Sequence, residues 1–184
     1  YWAGVSQDER GLFTFRPDVE ADRRGWRGMF GLERGLDAKT SLSAQLQSLV
    51  LDGERLTFFE TSARRSVGPA LVELSGSYEI KGGYALRAQM LGQIGKTYVN
   101  AESIVGRDFI SVRVDRGVKG RHQLGLEHAF DLGKLVLPVS LEGRYVQRDG
   151  GNDGVEASAR VSASFNRLSF TGSLDWRQQR RSPG

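Results

Sequence analysis

The chain has no cysteine, only two histidines and only four prolines among its 184 residues. Without cysteine, disulfide bonds and thiolate metal sites are excluded. His122 and His128 do not stand in an HxH or HExxH spacing, and Ser75 in LSGSY lacks the preceding glycine of a nucleophile elbow. The glycines of the segment 148–154 precede no helix that would form a phosphate cradle. We therefore expect no catalytic residues, no metal and no cofactor.

Long apolar runs and clustered charge are also absent. No stretch of 18 apolar residues occurs, so the sequence predicts no helical membrane span. The 26 lysines and arginines and the 22 acidic residues are scattered along the chain, and the net charge is only +4. Scattered charge is typical of hydrated protein faces and not of a nucleic-acid-binding stripe. We expect no nucleic-acid partner.

What is present is a strict period of two, seen most clearly from Ala70 to Ile94. Apolar residues and glycines occupy the even positions on both sides of the Lys81-Gly82-Gly83 turn. Polar side chains occupy most of the odd positions: Glu73, Ser75, Ser77, Glu79, Arg87, Gln89 and Gln93. The alternation predicts a β-hairpin with one apolar and one polar face.

The length and composition of these strands favour a membrane-spanning sheet. Each predicted strand has about 11 residues, the length needed to cross a bilayer at a tilt, whereas strands of water-soluble proteins usually have about five or six. Tyr78 and Tyr84 lie beside the turn, where an interfacial aromatic girdle would lie. The mean hydropathy of −0.40 is compatible with a barrel because half of each strand faces a polar lumen.

The same alternation recurs along the chain. It predicts an all-β fold, an antiparallel up-and-down meander of about eleven strands that is part or all of an outer-membrane β-barrel. Phe58 and Phe59 are adjacent, so one of the two rings must lie on the minority face. Because the sequence begins with Tyr1 and not Met, we expect it to be a piece of a longer chain.

Three segments are predicted. Residues 1–25 are an irregular lead-in or incomplete strand, with a possible short strand at 11–15. Residues 26–177 form the barrel segment, in which 109–115 is one predicted strand. Residues 178–184 are a polar tail. Within the barrel segment we predict connecting loops at 64–69, 116–121 and 147–153.

The stretch WRGMFGLERGLDAKTSLSAQLQSL, followed by a series of Gly/Ser-rich hairpins, resembles the translocation barrel of outer-membrane ushers of the chaperone-usher pilus pathway. Gly31-Leu32 through Gly35-Leu36-Asp37-Ala38-Lys39-Thr40-Ser41-Leu42 stands where usher strands read Y-G-L-x-x-x-x-S-L. The resemblance covers residues 26–177. It implies a non-enzymatic role in secreting folded pilus subunits across the bacterial outer membrane, with the lipid bilayer, pilus subunits and a periplasmic chaperone as partners.

Charged residues on the polar face are the candidate functional residues. If the barrel prediction holds, these side chains line the lumen and set the field that a solute experiences. We expect cross-strand pairs of Glu73 or Glu79 with Arg87, and of Glu142 or Arg144 with Arg160 or Glu156. The predicted pore-lining residues are Glu73, Glu79, Arg87, Glu102, Arg113, Glu142, Arg144, Glu156 and Arg160.

Several alternatives stay open at this point. A porin or polysaccharide-export barrel would show the same pattern. A soluble or surface β-sheet adhesin would instead pack its apolar face on a second sheet and bind a partner through loops 116–121 and 147–153. A barrel enzyme with a Ser-His-acid arrangement on separate strands is a third alternative.

Overall fold

The computed structural model describes residues 2–7, 26–51, 54–109, 117–133, 135–165 and 168–181. These residues form eleven strands and one short 3-10 turn at Asp149–Gly151. None of them forms a helix long and apolar enough to cross a membrane. The strands are β1 (Trp2–Gln7), β2 (Trp26–Gly35), β3 (Thr40–Leu51), β4 (Glu54–Val67), β5 (Ala70–Glu79), β6 (Gly83–Ile94), β7 (Thr97–Arg107), β8 (Val118–Leu132), β9 (Leu135–Arg148), β10 (Asn152–Phe165) and β11 (Leu168–Arg181).

All eleven strands belong to one sheet, in which each strand pairs with its neighbours in the sequence. The order runs from β1 at one end to β11 at the other. The pairs with a defined register are antiparallel; for example, Phe30 of β2 lies opposite Leu46 of β3. The predicted all-β, antiparallel up-and-down meander is therefore confirmed.

Several strands extend further than the sequence predicts. β4 includes residues 64–67, where we expected a connecting loop, because Arg64 and Arg65 pair with Ser41 and Thr40 of β3. β8 likewise begins at Val118, within the predicted basic loop. Pairing with a neighbouring strand satisfies the backbone polar groups of these hydrophilic segments, so polarity alone does not end a strand.

Corrections of the same kind apply elsewhere. The expected loop at 147–153 contracts to the 3-10 turn, since β9 continues to Arg148 and β10 begins at Asn152. β11 continues to Arg181 and so takes up part of the expected polar tail. β1 is a short strand in residues 1–25, which were expected to be an irregular lead-in or an incomplete strand. The possible strand at 11–15 lies outside the described residues. Of the expected strand at 109–115 only Phe109 is described, and it lies beyond the end of β7.

The chain divides into two compact units. The first comprises residues 1–65, 73–87 and 105–118, and the second comprises 66–72, 88–104 and 119–184.

In the first unit the large apolar side chains of the alternating set are exposed. They are Phe30, Leu32, Leu42, Leu46, Phe59, Leu74, Tyr78, Ile80, Tyr84 and Leu86. The buried apolar residues form a smaller group, Leu49, Leu56, Phe58, Ala85, Phe109 and Val118. Phe58 and Phe109 pack edge to face with ring centroids 5.5 Å apart. Of the adjacent pair, Phe58 is 5% exposed and Phe59 is 47% exposed, so Phe58 is the ring on the minority face.

Glycine at position 83 allows Phe109 to pack against the buried apolar residues of the first unit. A Cβ atom at position 83 would lie 2.2 Å from the backbone oxygen of Asp108 and 2.9 Å from the Cα of Phe109. Only glycine leaves room for the backbone after β7 to lie this close to the start of β6.

In the second unit the alternating apolar set is again exposed. Its members include Ile94, Leu124, Leu126, Phe130, Leu132, Leu141, Val155, Val161, Phe170, Leu174 and Trp176. Leu174 is 72% exposed. In water-soluble proteins such residues are the most often buried. Both units therefore expose a broad apolar surface on one face of the sheet.

Candidate functional site on the polar face

The polar face is the face opposite the exposed apolar set. Strand register aligns its side chains in rows across β9, β10 and β11. One row places Glu156 between Arg144 and Arg177, and the row beside it places Ser158 between Glu142 and Asp175. A third row places Arg160 between Ser140 and Ser173.

In the first unit Glu73 connects two arginines. Its Oε2 atom accepts hydrogen bonds from Arg64 Nε at 2.9 Å and Nη2 at 2.7 Å, and its Oε1 atom accepts one from Arg87 Nη1 at 3.1 Å. The side chains of Glu73 and Arg87 are only 15% and 16% exposed. The predicted Glu73–Arg87 pair is confirmed, and Arg64 joins it from the segment predicted to be a loop.

The second unit contains two further charged groups on this face. Arg121 Nη2 donates to Glu102 Oε1 at 2.7 Å, and both side chains are largely shielded from solvent. Arg144 binds Glu156 through two guanidinium nitrogens, with Nε at 2.9 Å from Oε2, and Arg177 Nε lies 2.8 Å from Oε1. The predicted pairing of Arg144 with Glu156 is confirmed.

The other predicted pore-lining residues have different environments. Glu142 accepts a hydrogen bond from Gln123 Nε2 at 3.0 Å. Glu79 is buried at 6% exposure at the end of β5, in the unit that holds the Phe58–Phe109 group. Arg160 is exposed. Arg113 lies outside the described residues.

Three arginines of these groups were not among the predicted residues: Arg64, Arg121 and Arg177. Arg64 and Arg121 fall in segments predicted to be loops, so no facing was assigned to them. The signal that would have identified them is parity, since Arg64 continues the alternation of Glu60 and Ser62, and Arg121 precedes Gln123 by two.

Both histidines lie on the apolar face. His128 Nδ1 lies 2.7 Å from Thr97 Oγ1, and its ring contacts Phe130 edge to face. His122 Nδ1 lies 2.9 Å from Ser103 Oγ, and its ring stacks on Tyr145. His128 is therefore a packed side chain on the face that the alternation predicts. Among the described residues no three His, Asp or Glu side chains are grouped to hold a metal ion.

The turn between β2 and β3 carries the segment that resembles ushers. Asp37 Oδ1 accepts a hydrogen bond from the Lys39 backbone N–H at 2.7 Å, and Leu36 N donates to Thr40 O at 2.9 Å. The Lys39 N–H stabilises the ionised form of Asp37 and lowers the pKa of its carboxyl below the ordinary 3.8.

The polar face therefore presents paired charges, hydroxyls and amides. Ser43 and Ser62 add a hydroxyl pair at 2.7 Å in the first unit. Such a surface provides hydrogen-bonding groups and a fixed electrostatic field to water or to a polar solute. Comparison of the chain with protein-family models, with curated proteins and with solved structures yields no match.

Proposed function

We propose that this chain forms part of the wall of an aqueous conduit through the bacterial outer membrane, with its apolar face against lipid and its polar face towards water. The observation that carries this proposal is the reversed polarity of the sheet. Leu74, on the apolar face, is 58% exposed, while the charged pair of Glu73 and Arg87 on the opposite face is largely shielded.

Exposed apolar area of this extent is costly in water. Burying one Val, Leu, Ile, Phe or Met side chain contributes about 1.5–3 kcal/mol relative to leaving it in water. More than twenty such side chains are exposed in the described residues. Contact with lipid removes this cost. The described residues form a single sheet, so they contain no second sheet to cover the apolar face.

The dimensions of the apolar set fit a bilayer. In β6 the set runs from Tyr84 to Ile94, a path of about 33 Å along the strand at about 3.3 Å per residue. At a tilt of about 40° this path spans about 25 Å, the height of the apolar band of outer-membrane barrels.

The connections between strands indicate an orientation. In an antiparallel meander they alternate between the two ends of the strands. The two longest, residues 8–25 and residues 108–117, follow the odd-numbered strands β1 and β7, as do the short connections 52–53, 80–82 and 149–151. The connections that follow even-numbered strands are all short: 36–39, 68–69, 95–96, 133–134 and 166–167. Outer-membrane barrels have short periplasmic turns and longer extracellular loops, so we assign the strand ends that carry the two long connections to the outside.

The more specific form of the proposal is usher-like secretion of pilus subunits. It is supported by the sequence resemblance over residues 26–177, and the turn between β2 and β3 at residues 36–39 lies within the stretch that carries this resemblance. Cross-linking of the polar-face residue Ser75, replaced by a photoreactive amino acid, to a subunit in transit would support it. A porin-like conduit would give no subunit adduct.

A surface adhesin is less well supported. Of the two loops expected to bind a partner, 147–153 contracts to a three-residue turn, and residues 118–121 of the other lie in β8.

The test of the conduit is to express the protein in a Gram-negative host, fractionate the envelope, and run the outer-membrane fraction unheated and heated on a gel. A closed barrel gives a band whose mobility shifts on heating, and the purified protein conducts ions across a planar bilayer. A protein recovered in the soluble fraction, with no heat shift and no conductance, would overturn the proposal.

A further inference from the structure

The second unit contains a cleft lined by polar-face side chains and by apolar residues that include Leu91, Val99 and Leu126. The cleft has a volume of about 570 Å³. The three strands β9, β10 and β11 supply two adjacent rows of side chains to it, Ser140–Arg160–Ser173 and Glu142–Ser158–Asp175. Gln93, Asn100 and Glu127 contribute further polar groups. None of the paired charges described above lines this cleft. Of its lining residues, Glu142 accepts the hydrogen bond from Gln123.

Tyr98 also lines this cleft, and its position is unusual. Thr97 bonds to His128 on the apolar face, whereas Glu102 bonds to Arg121 on the polar face. By alternation Tyr98 shares the face of Glu102. It is 55% exposed, so an aromatic ring is available among hydroxyls, amides and charged groups.

We infer that this cleft is a binding site for an uncharged polyhydroxylated solute, an oligosaccharide chain. The inference rests on the proposed conduit in its porin-like form and names the class of solute that this form holds. The apolar face of a sugar ring packs on an exposed aromatic ring, while its hydroxyls require both hydrogen-bond donors and acceptors nearby. Tyr98 supplies the ring, Arg160 supplies donors, and Glu142 and Asp175 supply acceptors.

The spacing of the two rows suits an extended ligand. Neighbouring strands lie about 4.8 Å apart, and side chains on one face of a strand repeat about every 6.6 Å. The six side chains therefore cover about 10 Å by about 7 Å, with serine hydroxyls beside charged groups in both rows. Each row offers a polar contact at every strand, which matches a chain of hydroxyl-bearing rings.

The charges disfavour other ligands. Glu127, Glu142 and Asp175 outnumber Arg160, so a phosphorylated or sulfated ligand would be repelled. Arg160 lies in the middle of its row, between two serines, and its positive charge would repel a compact organic cation at that position.

The test is calorimetric titration of the detergent-solubilised protein with maltohexaose, with spermidine as the cationic comparison. We expect saturable binding of maltohexaose that Tyr98→Leu weakens about fivefold and Arg160→Gln about tenfold. Tyr145→Leu is the matched control, because Tyr145 is a tyrosine of the apolar face and its loss should leave the affinity unchanged.

Three results would overturn the inference: absence of saturable maltohexaose binding, equal weakening by Tyr145→Leu, or spermidine binding that maltohexaose does not displace. Conductance and the heat shift are measured on the same preparation. A conducting, heat-shifted protein that ignores maltohexaose would refute the saccharide site alone, whereas absence of conductance and heat shift would refute the conduit itself.

Discussion

The two faces of the sheet follow opposite rules, and adjacent residues show the contrast most directly. Phe59 lies on the face where large apolar side chains are exposed, whereas Phe58 is buried on the polar face against Phe109. Glu73 and Arg87 are shielded by each other and by Arg64, while Leu74 and Leu86 are open. Hydrophobicity alone therefore does not determine which side chains are buried in this sheet. The face on which a side chain lies determines it, and here the apolar face is exposed while charged side chains on the opposite face are shielded.

The largest loss of stability is expected at the buried apolar group on the polar face. Phe58→Ala removes a buried ring from the group with Phe109 and should lower the free energy of unfolding by about 3 kcal/mol. Phe59→Ala, one residue away, removes a ring already 47% exposed and should cost about 1 kcal/mol or less. Urea unfolding of the protein in lipid vesicles measures both. Equal losses would mean that the two faces do not differ as described.

A charge placed on the apolar face should have the next largest effect. Leu74→Arg is expected to destabilise the protein in vesicles by about 2–4 kcal/mol, the cost of a cation facing the middle of the bilayer. Ser75→Arg places the same charge on the polar face and is the matched control. The readout is the fraction of protein that stays folded in unheated gel samples. A neutral Leu74→Arg would argue that this face contacts water.

Breaking a shielded charge group should cost less. Glu73→Gln leaves Arg87, which is 16% exposed, and Arg64 without their shared carboxylate, and we expect a loss of about 2 kcal/mol. Glu33→Gln alters an exposed acid and should change stability by less than about 0.5 kcal/mol. Urea unfolding of both variants in lipid vesicles measures the two changes in stability. If the group contributes little, the two variants will be indistinguishable.

The smallest effect concerns the turn at 36–39, outside the strands. Because the folded pKa of Asp37 is depressed, its contribution to the turn is complete above the unfolded value near 3.8 and is lost as the pH falls through the lower folded value. Carboxyl NMR titration should therefore place the Asp37 midpoint below 3.8. Lys39→Ala keeps the N–H donor and should retain the shift, whereas Lys39→Pro removes the donor with the largest effect and should reduce the shift, leaving the part due to Thr40 and Arg65. A midpoint at or above 3.8 would contradict the assigned hydrogen bond.

Most of the fold could be predicted from the sequence, because a strand has a fixed side-chain period. The assignment of Leu74 and Leu86 to one face and of Glu73 and Arg87 to the other needed only parity. The predictions from alternation were wrong at strand ends. Segment 64–67 was predicted as a loop because it is charged, yet its backbone pairs with β3 and thereby places Arg64 beside Glu73.

The candidate site was predicted in part. Pairs of Glu73 with Arg87 and of Arg144 with Glu156 were expected, but Arg121 and Arg177 were not. The exposed Tyr98 on the polar face was not identified either, although it has the same parity as the predicted pore-lining Glu102 in the same strand. Its facing follows from the bonds that Thr97 and Glu102 make on opposite faces.

The sequence by itself determined the meander, the two faces and the residue types on each, because alternation along a strand is a local property of the backbone. Only the tertiary structure decided which arginine meets which carboxylate, where strands end, and that Phe109 packs on Phe58. These features depend on strand register and on the approach of distant segments, such as Asp108 to Gly83, and neither is encoded in the period of a single strand.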